Sequence, residues 1–121
     1  MADVQQKPIS ITGTLSTSLG KIYSPSINQR GELTNIKFSN TANTAWQLWV
    51  YKIVSGQTEP VLLYHIELDA GDWVNDDTQY DLNSGDQIQA YSDVSTVQYD
   101  IEGLEKAINS SGYGNFKVNK A

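Results

Sequence analysis

The chain has 121 residues, a formal net charge of −6 and no cysteine. This length suits a single domain that folds without cross-links, and the lack of cysteine excludes disulfides and thiolate metal sites and fits a reducing compartment. An acidic domain is repelled by phosphate, which argues against nucleic acid and anionic membranes as partners. Because residues 1–7 lack the regions of a secretory signal and no run approaches the roughly 20 apolar residues of a membrane helix, we expect neither.

The polar residues 1–8 predict an N-terminal arm, followed by a sandwich domain at residues 9–103 and a C-terminal tail at residues 104–121. Residues 9–12 alternate between apolar and polar side chains, which is the period of a half-buried strand. Residues 14–23 predict one bulged strand or two short ones, with Gly20 at the irregularity. Residues 25–31 predict a loop, because Ile27 is their only apolar side chain.

Residues 33–54 predict a hairpin around which the rest of the chain is organised. Its first arm alternates over residues 33–39, residues 40–44 are small and polar as in a turn, and residues 45–54 are the most apolar and aromatic run of the sequence. This second arm has apolar side chains on both faces: Trp46, Leu48 and Val50 on one, and Trp49, Tyr51 and Ile53 on the other. We therefore expect one face in the core and the other against a second layer or a neighbouring subunit.

The second half of the chain continues with short strands and turns. Residues 61–68 predict a strand with Leu62, Tyr64, Ile66 and Leu68 on one face. The pattern Leu-x-x-Gly-Asp occurs at residues 68–72 and again at residues 82–86, and we expect both copies to be turns that join antiparallel strands. Residues 87–92 and 95–103 alternate again, whereas residues 104–108 are compatible with one helical turn.

About eight short strands separated by Gly, Pro and Asn turns predict an all-β fold, an antiparallel two-sheet β-sandwich. Both a jelly-roll-like and an immunoglobulin-like (Ig-like) topology fit this spacing. The arm and the tail flank the sandwich, and the tail carries Tyr113, Phe116 and Val118 as apolar anchors.

Catalytic and metal-binding residues are scarce. His65 is the single histidine, so a hydrolase triad or a histidine-based zinc site lacks members. Half of the 14 acidic residues fall between Glu67 and Asp86, but without the spacing of an EF-hand, so solubilising charge is favoured over a Ca²⁺ site. We predict a non-enzymatic protein without cofactors.

Two interpretations fit the aromatic residues Trp46, Trp49, Tyr51 and Trp73. Their rings either stack on sugars or fill a core or an oligomer interface, where aromatic side chains dominate the buried area. We favour the second interpretation. The predicted interface residues are Trp46, Trp49, Tyr51, Ile53, Tyr113, Phe116 and Val118.

The order of these elements resembles a group of small virion proteins of tailed bacteriophages, the capsid-decorating or head and tail accessory subunits. The resemblance covers residues 14–105 and rests on strand and turn motifs: Leu15-x-x-Ser18-Leu19-Gly20-x-Ile22-Tyr23-x-Pro25, Ile36-x-Phe38-Ser39-Asn40-Thr41, Ala45-x-x-Leu48-x-Val50, Leu68-x-Ala70-Gly71-Asp72, Leu82-x-x-Gly85-Asp86-x-Ile88-x-Ala90 and Ile101-Glu102-Gly103.

This resemblance implies a structural subunit that forms homo-oligomers, with a trimer favoured, and binds the major capsid protein or another virion protein. Its location would be the virion, assembled in the host cytoplasm. The alternative is a tail-associated or carbohydrate-binding module that recognises a host surface through exposed aromatic side chains.

Overall fold

The computed structural model describes residues 6–107, which form nine β-strands and no helix. The strands are β1 (Gln6–Thr14), β2 (Gly20–Tyr23), β3 (Gln29–Asn40), β4 (Trp46–Ile53), β5 (Val61–Leu68), β6 (Trp73–Asp76), β7 (Tyr80–Leu82), β8 (Gln87–Ser92) and β9 (Val97–Ala107). Accordingly, this part of the chain contains no helix of the length and apolarity that a membrane crossing requires.

The strands form two antiparallel sheets. A five-stranded sheet has the order β1-β9-β3-β6, with β7 also pairing with β3, and a four-stranded sheet has the order β2-β8-β4-β5. One buried cluster draws side chains from both sheets, such as Phe38 and Ile101 from the first and Leu48 and Ile88 from the second. The predicted all-β antiparallel two-sheet sandwich is therefore confirmed.

The pairing of the strands is nested. Strand β1 pairs with β9, β2 with β8, β3 with β6 and β7, and β4 with β5. The immunoglobulin sandwich has a different order, in which strands A, B, E and D face strands C, F and G. Each strand in the first half of this chain thus pairs with a strand in the second half. Local sequence patterns cannot predict these pairs, because most of the partners lie far apart along the chain.

The predicted hairpin over residues 33–54 is wrong. Strand β3 lies in the five-stranded sheet and β4 in the four-stranded sheet, so their connection crosses between the layers. The buried Asn40 holds this crossing, because its side-chain NH₂ donates to the carbonyls of Thr44, Leu68 and Asp69 and its carbonyl oxygen accepts from the N–H of Ala42. Strand β4 instead forms a hairpin with β5.

The two Leu-x-x-Gly-Asp copies form the same corner twice. Gly71 and Gly85 have φ of 69° and 92°, which is the left-handed conformation that glycine adopts without strain. The prediction that these turns join paired antiparallel strands is wrong. The first leads from β5 to β6 and the second from β7 to β8, each from one sheet to the other. The buried Leu68 and Leu82 precede the corners, so the pattern marks a strand that ends in the core before the chain changes layers.

Strand β5 contains a bulge that alters its predicted face. Val50 is opposite Tyr64, and the next residue, Tyr51, is opposite Leu62, so Leu63 is the extra residue. Leu63 and Tyr64 pack against the core, and Leu62 is 49% exposed. The prediction that Leu62 shares a face with Tyr64 is wrong because one inserted residue reverses the alternation.

The first and last strands differ from the predicted boundaries. Strand β1 begins at Gln6, and β9 continues to Ala107 where the sequence is compatible with a helical turn from residue 104. Extended backbone is favoured there because β9 pairs with β1 up to Lys106 and with β3 up to Ala107. The predicted anchors Tyr113, Phe116 and Val118 lie outside the described residues.

Candidate functional site

An aromatic stack stands on the outer face of the four-stranded sheet; we use this term for Trp49, Tyr51, His65 and Tyr91. Register places Trp49 of β4 between His65 of β5 and Tyr91 of β8. The ring centroid of Trp49 lies 4.6 Å from that of His65 and 4.7 Å from that of Tyr91, with interplanar angles of 10° and 9°. The ring of Tyr51 is 6.3 Å from that of Tyr91. Three neighbouring strands therefore hold their rings parallel to one another.

The stack is ordered by its own contacts. Nε2 of His65 donates a hydrogen bond to Oε1 of Gln47 at 2.6 Å, which orients the imidazole against Trp49. Since the partner of His65 is an amide, this contact does not provide the carboxylate that orients a catalytic histidine. The arrangement is that of a rigid apolar surface, because parallel rings at this spacing attract one another and keep few alternative rotamers.

The outward side chains of the two central strands, β4 and β8, carry no charge; we call this surface the neutral stripe. It consists of the outward side chains of β4 and β8: Gln47, Trp49, Tyr51, Ile53, Gln87, Gln89 and Tyr91. On this outer face, charged side chains lie at the edges of the sheet, such as Lys21 on β2 and Glu67 on β5. The central strands of the other sheet carry charge outward, for example Glu32 and Glu102. An aromatic centre with a charged rim is the composition of a protein interface.

The geometry of the stack separates the two interpretations of the aromatic residues. A sugar ring stacks on a free face of an aromatic ring, and both faces of Trp49 are covered by its neighbours. The stack therefore presents ring edges and hydroxyl groups to the surroundings. That surface suits contact with another protein better than it suits a pyranose ring.

The structure brings together three of the predicted interface residues. Trp49, Tyr51 and Ile53 share the neutral stripe, whereas Trp46 has the parity of the buried Leu48 and lies opposite Leu68 on the inner side. Its indole N–H is buried and has no hydrogen-bond partner among residues 6–107. The role of all seven predicted residues in an interface stays a prediction.

Sequence reasoning missed two residues of this surface, Tyr91 within the stripe and Leu62 beside it. Tyr91 could have been predicted, because it continues the alternation of Gln87 and Gln89 and therefore shares their outward, uncharged face of β8. The sequence did not reveal the neighbours of His65 and Leu62, because these depend on the register between β4 and β5 and on the bulge at Leu63.

A polar cluster connects β6 to β7 at the side of the sandwich. The carboxylate of Asp76 accepts hydrogen bonds from the Tyr80 hydroxyl at 2.8 Å and from the Thr78 N–H at 3.0 Å. Burial alone would raise the pKa of Asp76, but these hydrogen bonds outweigh it and lower the pKa below the ordinary 3.8. Burial and the hydrogen bond to Asp76 raise the pKa of Tyr80 to about 12.

We expect Asp76→Asn to weaken stability at neutral pH and to lose this effect in acid. A carboxylate with a lowered folded-state pKa contributes stability above its unfolded pKa, and this contribution disappears as the pH falls through the folded value. Urea unfolding at pH 7 and at about pH 3 should therefore show a gap from the wild type that closes in acid. Asp77→Asn is the control, because it removes the same charge at an exposed neighbouring position. A gap of equal size at both pH values would contradict the expectation.

Among residues 6–107, no three His, Asp or Glu side chains converge in a way that could hold a metal ion. The acidic residues between Glu67 and Asp86 are instead spread over corners, edges and the Asp76 cluster.

Comparisons with known proteins add a likeness in fold. No model of a known protein family matches the chain, and no curated protein matches it in sequence. A similar solved structure is a protein of the Bacillus endospore appendages, described as a novel family of disulfide-linked pili; it has 13% sequence identity and a TM-score of 0.48 over 88% of this chain and 89% of that chain. The present chain has no cysteine for such links. At this identity and TM-score the likeness carries no argument about function.

Proposed function

We propose that this protein is a non-enzymatic structural subunit that assembles with copies of itself through the neutral stripe. The observation that carries the proposal is the aromatic stack at the centre of a charge-free surface in a chain with 22 charged side chains. An outward row of this kind has no role in the subunit's own core, since Leu48 and Val50 already fill the inner face of the same strand.

Electrostatics favours this surface for contact between copies. Each subunit carries a net charge of −6, so two subunits repel one another unless they meet where the local charge is absent. The neutral stripe meets that condition, and the exposed apolar side chain of Leu62 adjoins it beside Tyr51.

The order of the stack also reduces the cost of association. Immobilising a flexible side chain at an interface costs roughly 0.5–1.5 kcal/mol. Rings that are already held parallel lose less freedom when a partner covers them. A contact of about 800 Å² on each partner is the size of an ordinary specific interface.

The resemblance to small virion proteins supports a more specific version of the proposal. In this version the chain is a jelly-roll subunit that forms trimers and decorates or stabilises a phage capsid, in contact with the major capsid protein or another virion protein. The nested pairing of the strands supports the jelly-roll assignment, because two interlocked Greek keys produce that order. Many weak contacts multiplied over many copies would give such a subunit its adhesion.

We expect the wild type to be an oligomer and Gln89→Glu to be a monomer at the same concentration. Gln89 lies opposite Tyr51 in the stripe, so the substitution places a negative charge at the centre of the contact with almost no change in size. Analytical ultracentrifugation and light scattering measure the mass. Gln6→Glu is the matched control, because Gln6 is exposed on the other sheet and should leave the oligomer intact.

Two results would contradict assembly through the stripe. One is a wild type that stays monomeric up to high micromolar concentration, and the other is a Gln89→Glu variant that keeps the wild-type mass. Co-sedimentation of the protein with purified phage particles tests the virion version, and a protein that oligomerises but fails to bind any particle would leave only the general proposal.

A further inference from the structure

The outer face of the five-stranded sheet carries a polar array at the end where β1, β9, β3 and β6 lie side by side. Register aligns the outward side chains of these strands in two rows: Thr12, Asp100, Lys37 and Asn75 in one, and Thr14, Gln98, Ser39 and Trp73 in the other. Seven of these eight side chains are polar, and the eighth is an indole at the sheet edge. This face is the opposite outer surface from the neutral stripe.

Small side chains make the centre of the array concave. Thr12, Thr14 and Ser39 are shorter than the Lys37 and Gln98 beside them, and together with Asp100 they line a hollow of about 380 Å³. Gly13 and Tyr99 complete it. The Tyr99 side chain itself packs on the inner side against the core, where the absence of a Cβ on Gly13 leaves room for its ring. The lining is therefore a set of hydroxyl, amide, carboxylate and ammonium groups.

Trp73 stands beside this hollow with 57% of its surface exposed. Its neighbour in the row is Ser39, and the ammonium of Lys37 lies 4.9 Å from the centroid of its ring. The cation–π contact orients the indole on the sheet and leaves most of it accessible. Unlike Trp49, this ring is therefore available to a ligand.

We propose that the hollow and Trp73 form a binding site for a neutral oligosaccharide. The C–H groups on one face of a pyranose carry partial positive charge and suit the negative face of an indole. Its hydroxyl groups both donate and accept hydrogen bonds, as do the side chains of the hollow.

Charge selects a neutral saccharide over an acidic one. Lys37 and Asp100 offset one another in the hollow, but Glu102 follows on the outer side of the same strand as Asp100 and the chain carries a net charge of −6. A carboxylated or sulfated sugar would meet this field unfavourably. A peptide strand is less suited, because the hollow lacks the apolar pockets that hold alternate side chains in peptide recognition.

The first experiment is an array of immobilised neutral, N-acetylated and acidic oligosaccharides. Titration calorimetry with maltotriose, cellotriose and chitotriose then measures affinity in solution. We expect retention of neutral or N-acetylated oligosaccharides and binding that weakens at least tenfold in Trp73→Ala. Leu104→Ala is the matched control, because it removes another exposed apolar side chain from the outer face of the same sheet and should leave binding unchanged.

A second variant tests the hollow without altering the indole. Ser39→Leu fills the centre of the row and should also weaken binding at least tenfold, while thermal unfolding checks that both variants are folded. The proposal is overturned if no neutral oligosaccharide is retained, if Trp73→Ala binds as the wild type does, or if Trp73-dependent binding is confined to acidic glycans or peptides. The outcome is independent of assembly, which uses the other sheet.

Discussion

Replacing Gly103 by alanine is expected to destabilise the fold by about 3 kcal/mol or more, at the upper end of overpacking effects. Gly103 lies on β9 opposite Leu33, where β3 has a bulge at Thr34. A Cβ atom here would collide with the carbonyl oxygen of Glu32 and would lie 2.9 Å from the Cα of Leu33. Because these atoms belong to the backbone of the central strand, no side chain can rotate away to make room.

Chemical denaturation of Gly103→Ala and of the control Gly20→Ala measures this effect. At Gly20 the nearest atom to an added Cβ is the carbonyl oxygen of Ser18 at 3.8 Å, which is an ordinary contact. We therefore expect Gly20→Ala to stay within about 0.5 kcal/mol of the wild type. Equal stability of the two variants would show that β3 can move away from β9, and the packing argument would fail.

The second large effect is expected from Asn40→Asp, with a loss of about 3 to 5 kcal/mol at neutral pH, as for an uncompensated buried charge. The NH₂ group of Asn40 donates to three carbonyl oxygens at 2.8, 3.0 and 3.2 Å. Aspartate has nearly the same shape, but it places a charged oxygen against these three acceptors. The crossing from β3 to β4 and the corner after β5 would both lose their tie.

The loss in Asn40→Asp should depend on pH in a defined direction. The carbonyl oxygens and burial disfavour the charged carboxyl, so its pKa in the folded state is raised. Its penalty is then small below the unfolded value of about 3.9 and grows as the pH rises towards the folded value. Asn43→Asp is the control, since Asn43 is exposed in the same loop. Denaturation curves at neutral and at acidic pH measure the loss of unfolding free energy in Asn40→Asp. A loss that is larger in acid would refute the assigned hydrogen bonds.

Alternation along the chain identified most strands and the faces of β4, because a period of two is a local property. Trp49, Tyr51 and Ile53 do share the outer face of that strand, and Leu48 and Val50 do fill the core. The same reasoning failed at Leu62, where one extra residue in β5 reverses the face. A bulge depends on how two strands align, and no single strand encodes it.

The candidate sites could be predicted only in part, because they too depend on how neighbouring strands align. The sequence identified Trp49 and Trp73 as residues with two interpretations, but it contained nothing that distinguished them. Their difference comes from neighbours on other strands: His65 and Tyr91 cover Trp49, whereas within residues 6–107 Trp73 has the ammonium of Lys37 over its ring and remains 57% exposed.

Composition and local pattern were sufficient for an acidic all-β sandwich with tight turns at Gly71 and Gly85, because burial alternation and positive φ are decided within a few residues. Folding was needed to decide that β3 and β4 belong to different sheets, that three strands align their rings, and that a polar hollow adjoins an exposed indole. Each of these depends on register between strands that are far apart in the chain, and register is set by how the whole core packs.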